Sequence, residues 1–412
     1  MLGVGIVIVV MAPYIKDSET LFAFKDFTNY TFEQIQNYKN GWYLALISVF
    51  GLAQFLGAPQ LGGISDQYGR KRVVIFTMVG GAFGYLIFSL GVVFASLPML
   101  FIGRFITGFN SGGVSILYSI ISDLSTPENK ARNFGILGAA FGLGFIVGPA
   151  LGAVLADETI VSWFTDSTPF FSAMMLSLIS GVLIFLTVPE TNVYAKTSKK
   201  IKLNLLQGVQ NINVAFRDPK VSTILIVLFL VYLGFTFFTQ FSSVYLIDVF
   251  GVDQKELGKF FTFVGAVLVF TQFIIIRVLT KYFSSRQIVA VVLLSLSCGL
   301  FLFIVPQEYK QIFLVASIMP MSFGLMQPNM LNIISNSAGK EIQGQILGIQ
   351  QSVRSLAFTI PPLISIPISA LDSRLPNIAG GIIVLLSWII FLVNYKKFKI
   401  VTHPRQNASD QK

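Results

Sequence analysis

The sequence contains very few residues from which a metal site or an active site could be built. Among 412 residues there is one cysteine, Cys298, and one histidine, His403, and only 12% of the chain is charged. A single cysteine excludes an intrachain disulfide and a thiolate metal cluster. One residue of each kind cannot supply a His/Cys metal site or a catalytic triad. We therefore expect no cofactor, no metal and no enzymatic activity, although an enzyme that uses carboxylates alone is left open.

Apolar residues dominate instead and make up 54% of the chain, whereas a soluble domain carries about 25% charged residues. The charges cluster in short runs between apolar stretches of about 20 residues, the length at which a helix crosses the ~30 Å hydrocarbon core. Inside lipid each helix must satisfy its own backbone polar groups. We predict an all-α integral membrane protein with twelve spans, at 1–15, 41–64, 73–95, 97–122, 134–156, 169–188, 221–247, 257–280, 287–305, 311–336, 342–369 and 377–395.

The net charge of +10 is concentrated at the ends of these spans. Because the basic residues do not form a soluble domain, we expect a lipid bilayer and no nucleic acid as the partner. With the connections assigned alternately from a cytoplasmic N-terminus, 19 of the 29 Lys and Arg residues lie inside, seven lie outside and three fall within spans. Cytoplasmic loops are enriched in Lys and Arg. The split predicts a multi-pass protein with both termini in the cytoplasm.

The longest polar stretch between spans divides the chain into two bundles of six spans. This stretch, 189–220, is basic and is predicted to be a cytoplasmic linker. It separates an N-terminal bundle at 1–188 from a C-terminal bundle at 221–395, and a cytoplasmic tail follows at 396–412.

The two halves also show a weak internal repeat. When the first half is shifted by 213 residues, Gly135 meets Gly348 and Pro149 meets Pro362. Transporters built from two six-helix halves related about the membrane normal produce such a repeat. Chance similarity among apolar residues is the alternative.

The loop between spans 2 and 3 carries the most specific motif. Gly62, Asp66, Gly69, Arg70 and Lys71 have the spacing Gly-x-x-x-Asp-x-x-Gly-Arg-Lys. Glycines permit a tight turn, Asp66 can cap the next helix, and Arg70 can form a fork of hydrogen bonds with a carboxylate or with helix-end carbonyls. The loop resembles the signature of the major facilitator superfamily, which implies a latch between the two halves on the cytoplasmic side. A plain basic loop is the alternative.

Span 4 contains Arg104 and Gly108 in an Arg-x-x-x-Gly motif. A charge inside a span is costly and therefore indicates a functional role. The motif resembles a second signature of the superfamily, which implies that Arg104 takes part in proton transfer. The alternative is an arginine near the outer end of its span that extends toward the headgroups.

Span 5 contains Gly144, Gly148 and Gly152, which share one helix face and let a neighbouring backbone approach closely. Pro149 removes one backbone donor and bends the helix. The stretch resembles the Gly-x-x-x-Gly-Pro-x-x-Gly-Gly signature of exporters that exchange protons for substrate, with Ala153 in place of the last glycine. Generic packing of a glycine-rich helix is the alternative.

The first apolar run, 1–15, gives only about 22 Å of helix. Its segment from Leu2 to Pro13 resembles the first helix of tetracycline-type efflux pumps, which carry an Asp just ahead of this stretch. We expect that the sequence begins late in helix 1 and that such an Asp lies upstream. A shortened, tilted or partly inserted helix is the alternative.

Polar side chains inside the spans are rare, and a bundle that moves a solute needs them. Arg354 stands about 12 residues into span 11, near mid-membrane, where arginine is costly unless it faces water or an anionic partner. Hydrogen bonding to helix carbonyls is the alternative. The candidates for a substrate cavity are Gln54, Gln240, Gln327, Asn329, Asn332, Gln350, Gln351 and Arg354, and Gln272 is a further polar residue of span 8.

Carboxylates are nearly absent from the middle of the spans, since Asp66, Asp123, Asp157, Glu158 and Asp248 all fall at span ends. Proton-coupled export calls for a buried acid. Three explanations stay open: the upstream Asp, an end carboxylate that lies deeper than predicted, or a uniporter. Two deep arginines without a deep acid favour an anionic or neutral-polar substrate over a cationic one.

The sequence therefore predicts a transporter with the two-bundle fold of the major facilitator superfamily, resembling its tetracycline and multidrug efflux branch. The resemblance implies a monomer in the bacterial inner membrane that exports a small organic compound by alternating access, driven by protons. The first alternative is a proton-coupled importer of a nutrient or organic anion on the same fold. The second is a non-transporting receptor or assembly subunit.

Overall fold

A computed structural model describes residues 2–18, 20–125, 130–192, 219–337, 343–369 and 372–397, and every regular element in these ranges is a helix. The α-helices, with the predicted spans to which they belong, are α1 Leu2–Asp17 (span 1), α2 Phe32–Tyr68 (span 2), α3 Arg70–Val93 (span 3), α4 Leu97–Ser111 and α5 Val114–Asp123 (span 4), α6 Lys130–Leu155 (span 5), α7 Thr168–Thr187 (span 6), α8 Pro219–Phe250 (span 7), α9 Gln254–Phe270 and α10 Ile276–Tyr282 (span 8), α11 Ser285–Leu302 (span 9), α12 Tyr309–Ala316 and α13 Ile318–Ser337 (span 10), α14 Gln343–Ser369 (span 11) and α15 Leu375–Val393 (span 12).

Each predicted span thus coincides with one helix or with two consecutive helices. Span 4 is interrupted at Gly112 and span 10 at Ser317. Span 8 continues through a π-helical turn, Thr271–Ile275; such turns are rare and often mark functional sites. Most of the predicted linker at 189–220 and of the tail at 396–412 lies outside the described residues.

Local sequence signals begin and end the helices. Thr31 and Gln34 form a capping box at the start of α2, and Ser284 and Gln287 form another at the start of α11. These side chains satisfy backbone amides that have no partner within the helix. Gly69 alone separates α2 from α3, with a φ of 98° that favours glycine.

The outward faces of the helices are apolar. Only 17% of the apolar segment of α7 is buried, and its Phe185 and Leu186 are 62% and 70% exposed. Exposed apolar surface on this scale is unfavourable in water and becomes favourable in lipid. Nine segments of the described chain have the length and composition of a membrane span. The prediction of an integral membrane protein is confirmed.

The contacts between spans repeat in the two halves. Span 1 packs against span 5, and span 3 packs against spans 4 and 6; in the second half span 7 packs against span 11, and span 9 against spans 10 and 12. Adding six to each number of the first set produces the second. The halves meet along two seams, span 2 with span 11 and span 5 with span 8. The two seams are equivalent, because exchanging the halves turns span 2 into span 8 and span 11 into span 5. This is the pseudo-symmetric arrangement that the repeat predicts.

Glycines bring spans 2 and 4 into backbone contact. A Cβ atom at Gly108 would lie 2.5 Å from the carbonyl oxygen of Phe50, and one at Gly112 would lie 2.5 Å from the nitrogen of Ala58. Membrane helices pack through small residues because close backbone approach maximises van der Waals contact. A larger side chain at either glycine would push the two helices apart.

Candidate functional site

Arg354 lies where the two halves meet, among side chains from four spans. Its guanidinium carbon is 5.7 Å from the centre of the Tyr232 ring in span 7, and its guanidinium interacts with the Tyr118 hydroxyl in span 4. Gln327 of span 10 and Gln350 of span 11 are bonded to these tyrosines. We call these five residues the Arg354 cluster. Because Tyr118 belongs to the first half and the other four to the second, the cluster joins the halves.

Two hydrogen bonds order the tyrosines of the Arg354 cluster. Gln350 Nε2 donates to the Tyr232 hydroxyl over 2.9 Å, and Gln327 Nε2 donates to the Tyr118 hydroxyl over 3.3 Å. Among the described residues no carboxylate forms an ion pair with Arg354. A guanidinium beside two phenol groups offers a positive charge and several donors. The cluster can therefore bind an anionic or polar group.

The next residue of span 11 connects it to span 2. Ser355 Oγ donates to Gln54 Oε1 over 3.1 Å. On the same helix the carbonyl oxygen of Phe358 accepts a hydrogen bond of 3.3 Å from Gln240 Nε2 in span 7. Gln54 and Gln240 therefore each bond to span 11 within about one helical turn of Arg354 in sequence.

The remaining cavity candidates are placed differently. Gln351 is 3% exposed, next to Gln350 on the same helix. Asn329 is 2% exposed, and its amide donates to the carbonyl of Leu325 in its own helix over 2.8 Å. Asn332 is exposed and donates to Ser285 Oγ of span 9 over 3.0 Å. The structure thus leaves Asn332 outside the Arg354 cluster.

Gln272 stands on the π-helical turn of span 8, in the seam with span 5. Its side chain is 7% exposed, and a Cβ atom at Gly138 would clash with its carboxamide. Within the described part of the chain Gln272 Oε1 has no hydrogen-bond partner. Together with Tyr118 and Gln327 it lines a small cavity. Polar groups thus extend from the Arg354 cluster into the second seam.

Arg104 is buried in the first half and is only 5% exposed. Its guanidinium lies over the rings of Phe50 at 4.8 Å and of Phe88 at 6.0 Å, which are cation–π distances. Its Nε atom has no hydrogen-bond partner among the described residues. Gly108, one turn further, packs on span 2. This arginine therefore does not extend toward the headgroups, and none of these contacts is shared with the Arg354 cluster.

Carboxylates of the first half hold the loop between spans 2 and 3. Arg70 forms ion pairs with Asp66 at 3.0 Å and with Asp123, at the end of span 4, at 2.5 Å. Glu190, after span 6, accepts hydrogen bonds from the backbone amides of Arg70 and Lys71 at 2.8 and 3.2 Å. Arg70 thus forms the predicted fork. The prediction that Asp66 caps span 3 is wrong, because Glu190 occupies that position and Asp66 pairs with Arg70.

The three carboxylates that contact the loop between spans 2 and 3 show which parts of the protein this loop connects. Asp66 and Asp123 belong to the first half, at the ends of spans 2 and 4, and Glu190 follows span 6 at the start of the predicted linker. Gly69 contributes by lacking a side chain, because a Cβ atom there would clash with the Glu190 carboxylate. Among the described residues the loop therefore ties the ends of the first bundle together.

We expect Arg70→Ala to lower transport about ten-fold, a loss of ~1.4 kcal/mol. The Asp123 pair should dominate, because the Asp66 side chain is 63% exposed and solvent screens its charge. Initial rates of solute uptake into vesicles, at matched protein level, measure the effect. Arg72→Ala, at an exposed residue two positions away, is the matched control and should retain the wild-type rate. Equal rates for the two variants would contradict this role of Arg70.

Gly152 of span 5 faces span 1. Gly144, Gly148 and Gly152 are buried, and a Cβ atom at Gly152 would lie 3.1 Å from the carbonyl oxygen of Ile6. The close backbone approach that the sequence predicts is present at this position. Helix α6 continues through Pro149 to Leu155.

In the described residues every Asp and Glu lies in a loop or within about one turn of a helix end. Asp66 and Asp123 are engaged by Arg70. Asp157, in the loop after span 5, accepts hydrogen bonds from the hydroxyl and amide of Thr159, and these hold the pKa of Asp157 below its usual value. A lowered pKa keeps this carboxylate ionised near neutral pH. Asp157 is therefore not suited to load a proton inside the bundle.

Two residues of these sites are not indicated by any sequence motif. Tyr118 interacts with Arg354, and Glu190 caps span 3. The signal for Tyr118 is a tyrosine within a predicted span, because a buried tyrosine hydroxyl usually finds a hydrogen-bond partner. For Glu190 the signal is an acidic residue directly after a span, on the side of the membrane where the basic loops lie.

Two six-helix halves that meet around a polar cluster are typical of a membrane transporter. Comparison with known proteins assigns the family. The sequence profile described as Major Facilitator Superfamily matches residues 1–362. The chain belongs to the Major Facilitator Superfamily and is a membrane transporter.

Several curated relatives are drug-resistance proteins of bacteria. The chain is 27% identical over 332 residues to the class H tetracycline resistance protein of Pasteurella multocida, covering 78% of each chain. It is 25% identical over 395 residues to the quinolone resistance protein NorA of Staphylococcus aureus, covering 93% of this chain and 92% of the relative. The resemblance to the drug-efflux branch is confirmed.

Solved structures agree with the fold. The human organic anion transporter MFSD10 (TETRAN) superimposes with a TM-score of 0.77 at 20% identity, over 94% of this chain and 95% of that one. A variant of the Escherichia coli fucose:proton symporter FucP superimposes with a TM-score of 0.63 at 13% identity, over 95% and 97%. The predicted fold class is confirmed.

Proposed function

We propose that this transporter exports a small organic compound from a bacterial cytoplasm by alternating access, driven by proton entry. The observation that carries the proposal is the Arg354 cluster, a polar group with a positive charge at the junction of the two halves. Relatives named for tetracycline and quinolone resistance favour export. The glycine stripe of span 5, which resembles the exporter signature, favours it as well.

The cluster suggests how substrate binding could be coupled to movement. The contacts of Tyr118 with Arg354 and Gln327 cross between the halves, so they must break when the bundles 1–188 and 221–395 rock apart. A substrate group that accepts hydrogen bonds from Arg354 would replace Tyr118 and lower the cost of separation. Binding then favours the open state because the ligand contacts the two states differently.

The proposed topology places both termini and the Arg70 loop in the cytoplasm and treats the protein as a functional monomer in the inner membrane. The basis is the distribution of Lys and Arg residues between alternate loops. With Arg70 on the inner face, its ion pairs stabilise the cytoplasmic ends of spans 2, 3 and 4. Proton entry is proposed on the resemblance of the Arg104 and Gly144–Gly152 motifs.

The proposed substrate class is anionic or neutral-polar. Arg104 is enclosed by aromatic rings in the first half, which leaves Arg354 as the deep arginine at the interface. A lipophilic cation would meet this positive charge without a described carboxylate to offset it. A compound with a carboxylate or with enolic and phenolic oxygens would accept its hydrogen bonds.

Flux in vesicles of opposite orientation tests the proposal. Inverted vesicles that contain the protein should accumulate tetracycline or a fluoroquinolone when a proton gradient is imposed, and a protonophore should abolish the uptake. Accumulation in right-side-out vesicles instead would favour the importer. Absence of gradient-dependent flux of any tested solute in either orientation would favour a receptor or assembly subunit and overturn the proposal.

A further inference from the structure

A groove of about 700 Å³ lies between the start of span 9 and the end of span 12. It shares no residue with the Arg354 cluster. Its volume is within the range of small-molecule sites, ~300–1,000 Å³. One part is lined by Ala290, Val291, Leu392 and Val393, and the other by Gln287, Tyr395 and Lys396. The apolar part is open to the side, since Val291 is 69% and Val393 79% exposed. The groove is therefore amphipathic and opens toward the lipid.

The polar end of the groove is electropositive. Lys396 is exposed there, and helix α11 begins close by at Ser285, with the positive end of its dipole. Gln287 Oε1 accepts hydrogen bonds from the amide and hydroxyl of Ser284 at 2.9 and 2.8 Å. The Gln287 carboxamide is thereby oriented, and its nitrogen is a donor. The Lys396 ammonium, the Gln287 carboxamide nitrogen and the positive helix end together suit a phosphate.

Both walls of the groove are held in place by hydrogen bonds. Arg286 Nη1 donates to the carbonyl of Tyr395 over 3.1 Å, and its guanidinium lies over the Tyr395 ring at 4.8 Å. This interaction positions the short helical turn Tyr395–Lys397, which carries Lys396. Trp388 Nε1 donates to the carbonyl of Ala290 over 2.8 Å and joins span 12 to span 9. The groove is thus formed before any ligand enters.

We propose that this groove binds an anionic phospholipid, with an acyl chain along Val291 and Leu392 and the phosphate at Lys396 and the start of α11. A lipid fits better than a soluble anion because the apolar part continues the lipid-facing surface of the two helices. Basic pockets between membrane helices bind anionic headgroups in this way. Spans 3 and 9 both begin on one face of the membrane, so the lipid belongs to the leaflet that also faces Arg70.

Lipid binding to the delipidated full-length protein, measured by native mass spectrometry, tests this assignment without any transport assay. Phosphatidylglycerol should bind about five-fold more tightly than phosphatidylcholine with the same acyl chains, the effect of one basic residue near a headgroup. Lys396→Glu should remove that preference. The matched control Lys281→Glu, at an exposed lysine near the end of span 8, should keep it. Val291→Trp should fill the apolar part and weaken binding of both lipids.

Three results would overturn the assignment. The first is equal binding of the two lipids to the wild-type protein. The second is the same loss of preference in Lys396→Glu and Lys281→Glu, which would mean a general charge effect. The third is displacement of phosphatidylglycerol by millimolar inorganic phosphate, which would indicate a site for soluble anions. Thermal melting of each variant identifies any that is misfolded, and Lys396→Glu, at the surface, keeps the test decisive if Val291→Trp fails to fold.

Discussion

Replacing Arg354 with alanine is expected to lower the rate of drug transport about ten- to hundred-fold. Arg354 makes charge-assisted contacts, each worth ~1.5–3 kcal/mol, and every ~1.4 kcal/mol corresponds to a factor of ten. The substitution also removes the positive charge from the junction of the halves and leaves Tyr118 with Gln327 alone among its described partners. Initial uptake rates of tetracycline and a fluoroquinolone in inverted vesicles, at matched protein level, provide the measurement.

Two further variants distinguish charge from geometry. Arg354→Lys keeps the charge but loses the planar fork of donors, so we expect an intermediate rate. Arg277→Ala changes an exposed arginine in α10 and should leave the rate unchanged. If Arg354→Ala transports both drugs at the wild-type rate, Arg354 does not contact the substrate and the proposed site is wrong.

The second large effect is expected from Gly108→Val, which should prevent stable folding. The valine Cβ would lie 2.5 Å from the Phe50 carbonyl oxygen and 2.9 Å from the Phe50 Cα atom. These are backbone atoms of span 2, so no side-chain rotation relieves the clash. Overpacking typically costs ~1–3 kcal/mol, and a clash with backbone belongs at the upper end. The fraction of monodisperse protein after detergent extraction, and its melting temperature, report the loss.

Gly41→Val is the matched control for this substitution. Gly41 is in α2, the helix against which Gly108 packs, but a Cβ atom there meets nothing within 4 Å. The change in residue type is the same, so any cost of a β-branched residue in a helix is shared. We expect Gly41→Val to fold like the wild type. A Gly108→Val protein as stable as Gly41→Val would show that spans 2 and 4 are not in backbone contact.

The loop between spans 2 and 3 shows how much of a contact network a sequence motif can predict. Its spacing predicted that Arg70 would form a fork with a carboxylate or with helix-end carbonyls, and the structure has Arg70 between the carboxylates of Asp66 and Asp123. The motif did not indicate Glu190, which is 120 residues from Arg70 in sequence. Any carboxylate near a helix N-terminus can stabilise it. Asp66 is the nearest in sequence, so the sequence predicted Asp66 as the cap. Folding brought the end of span 6 to the same place, and Glu190 became the cap.

The proposed substrate site was predictable as a set of residue types but not as a geometry. Polar residues in apolar spans indicated Gln54, Gln327, Gln350 and Arg354, because a polar group in lipid requires a partner. The same rule indicated Asn332, which finds its partner on span 9 instead. Which face of a helix points to the centre depends on its rotation in the bundle, and glycine and alanine contacts set that rotation.

The sequence by itself determined that the chain crosses a bilayer in two related sets of six helices, because apolar length, charge at the span ends and helix signals are local properties of a chain in lipid. Only the tertiary structure decided that Tyr118 of the first half meets Arg354 and Gln327 of the second, a pairing that spans 209 residues for Gln327. The physical reason is that lipid favours every apolar helix face alike. Close packing and hydrogen bonding between particular helices therefore select the partners.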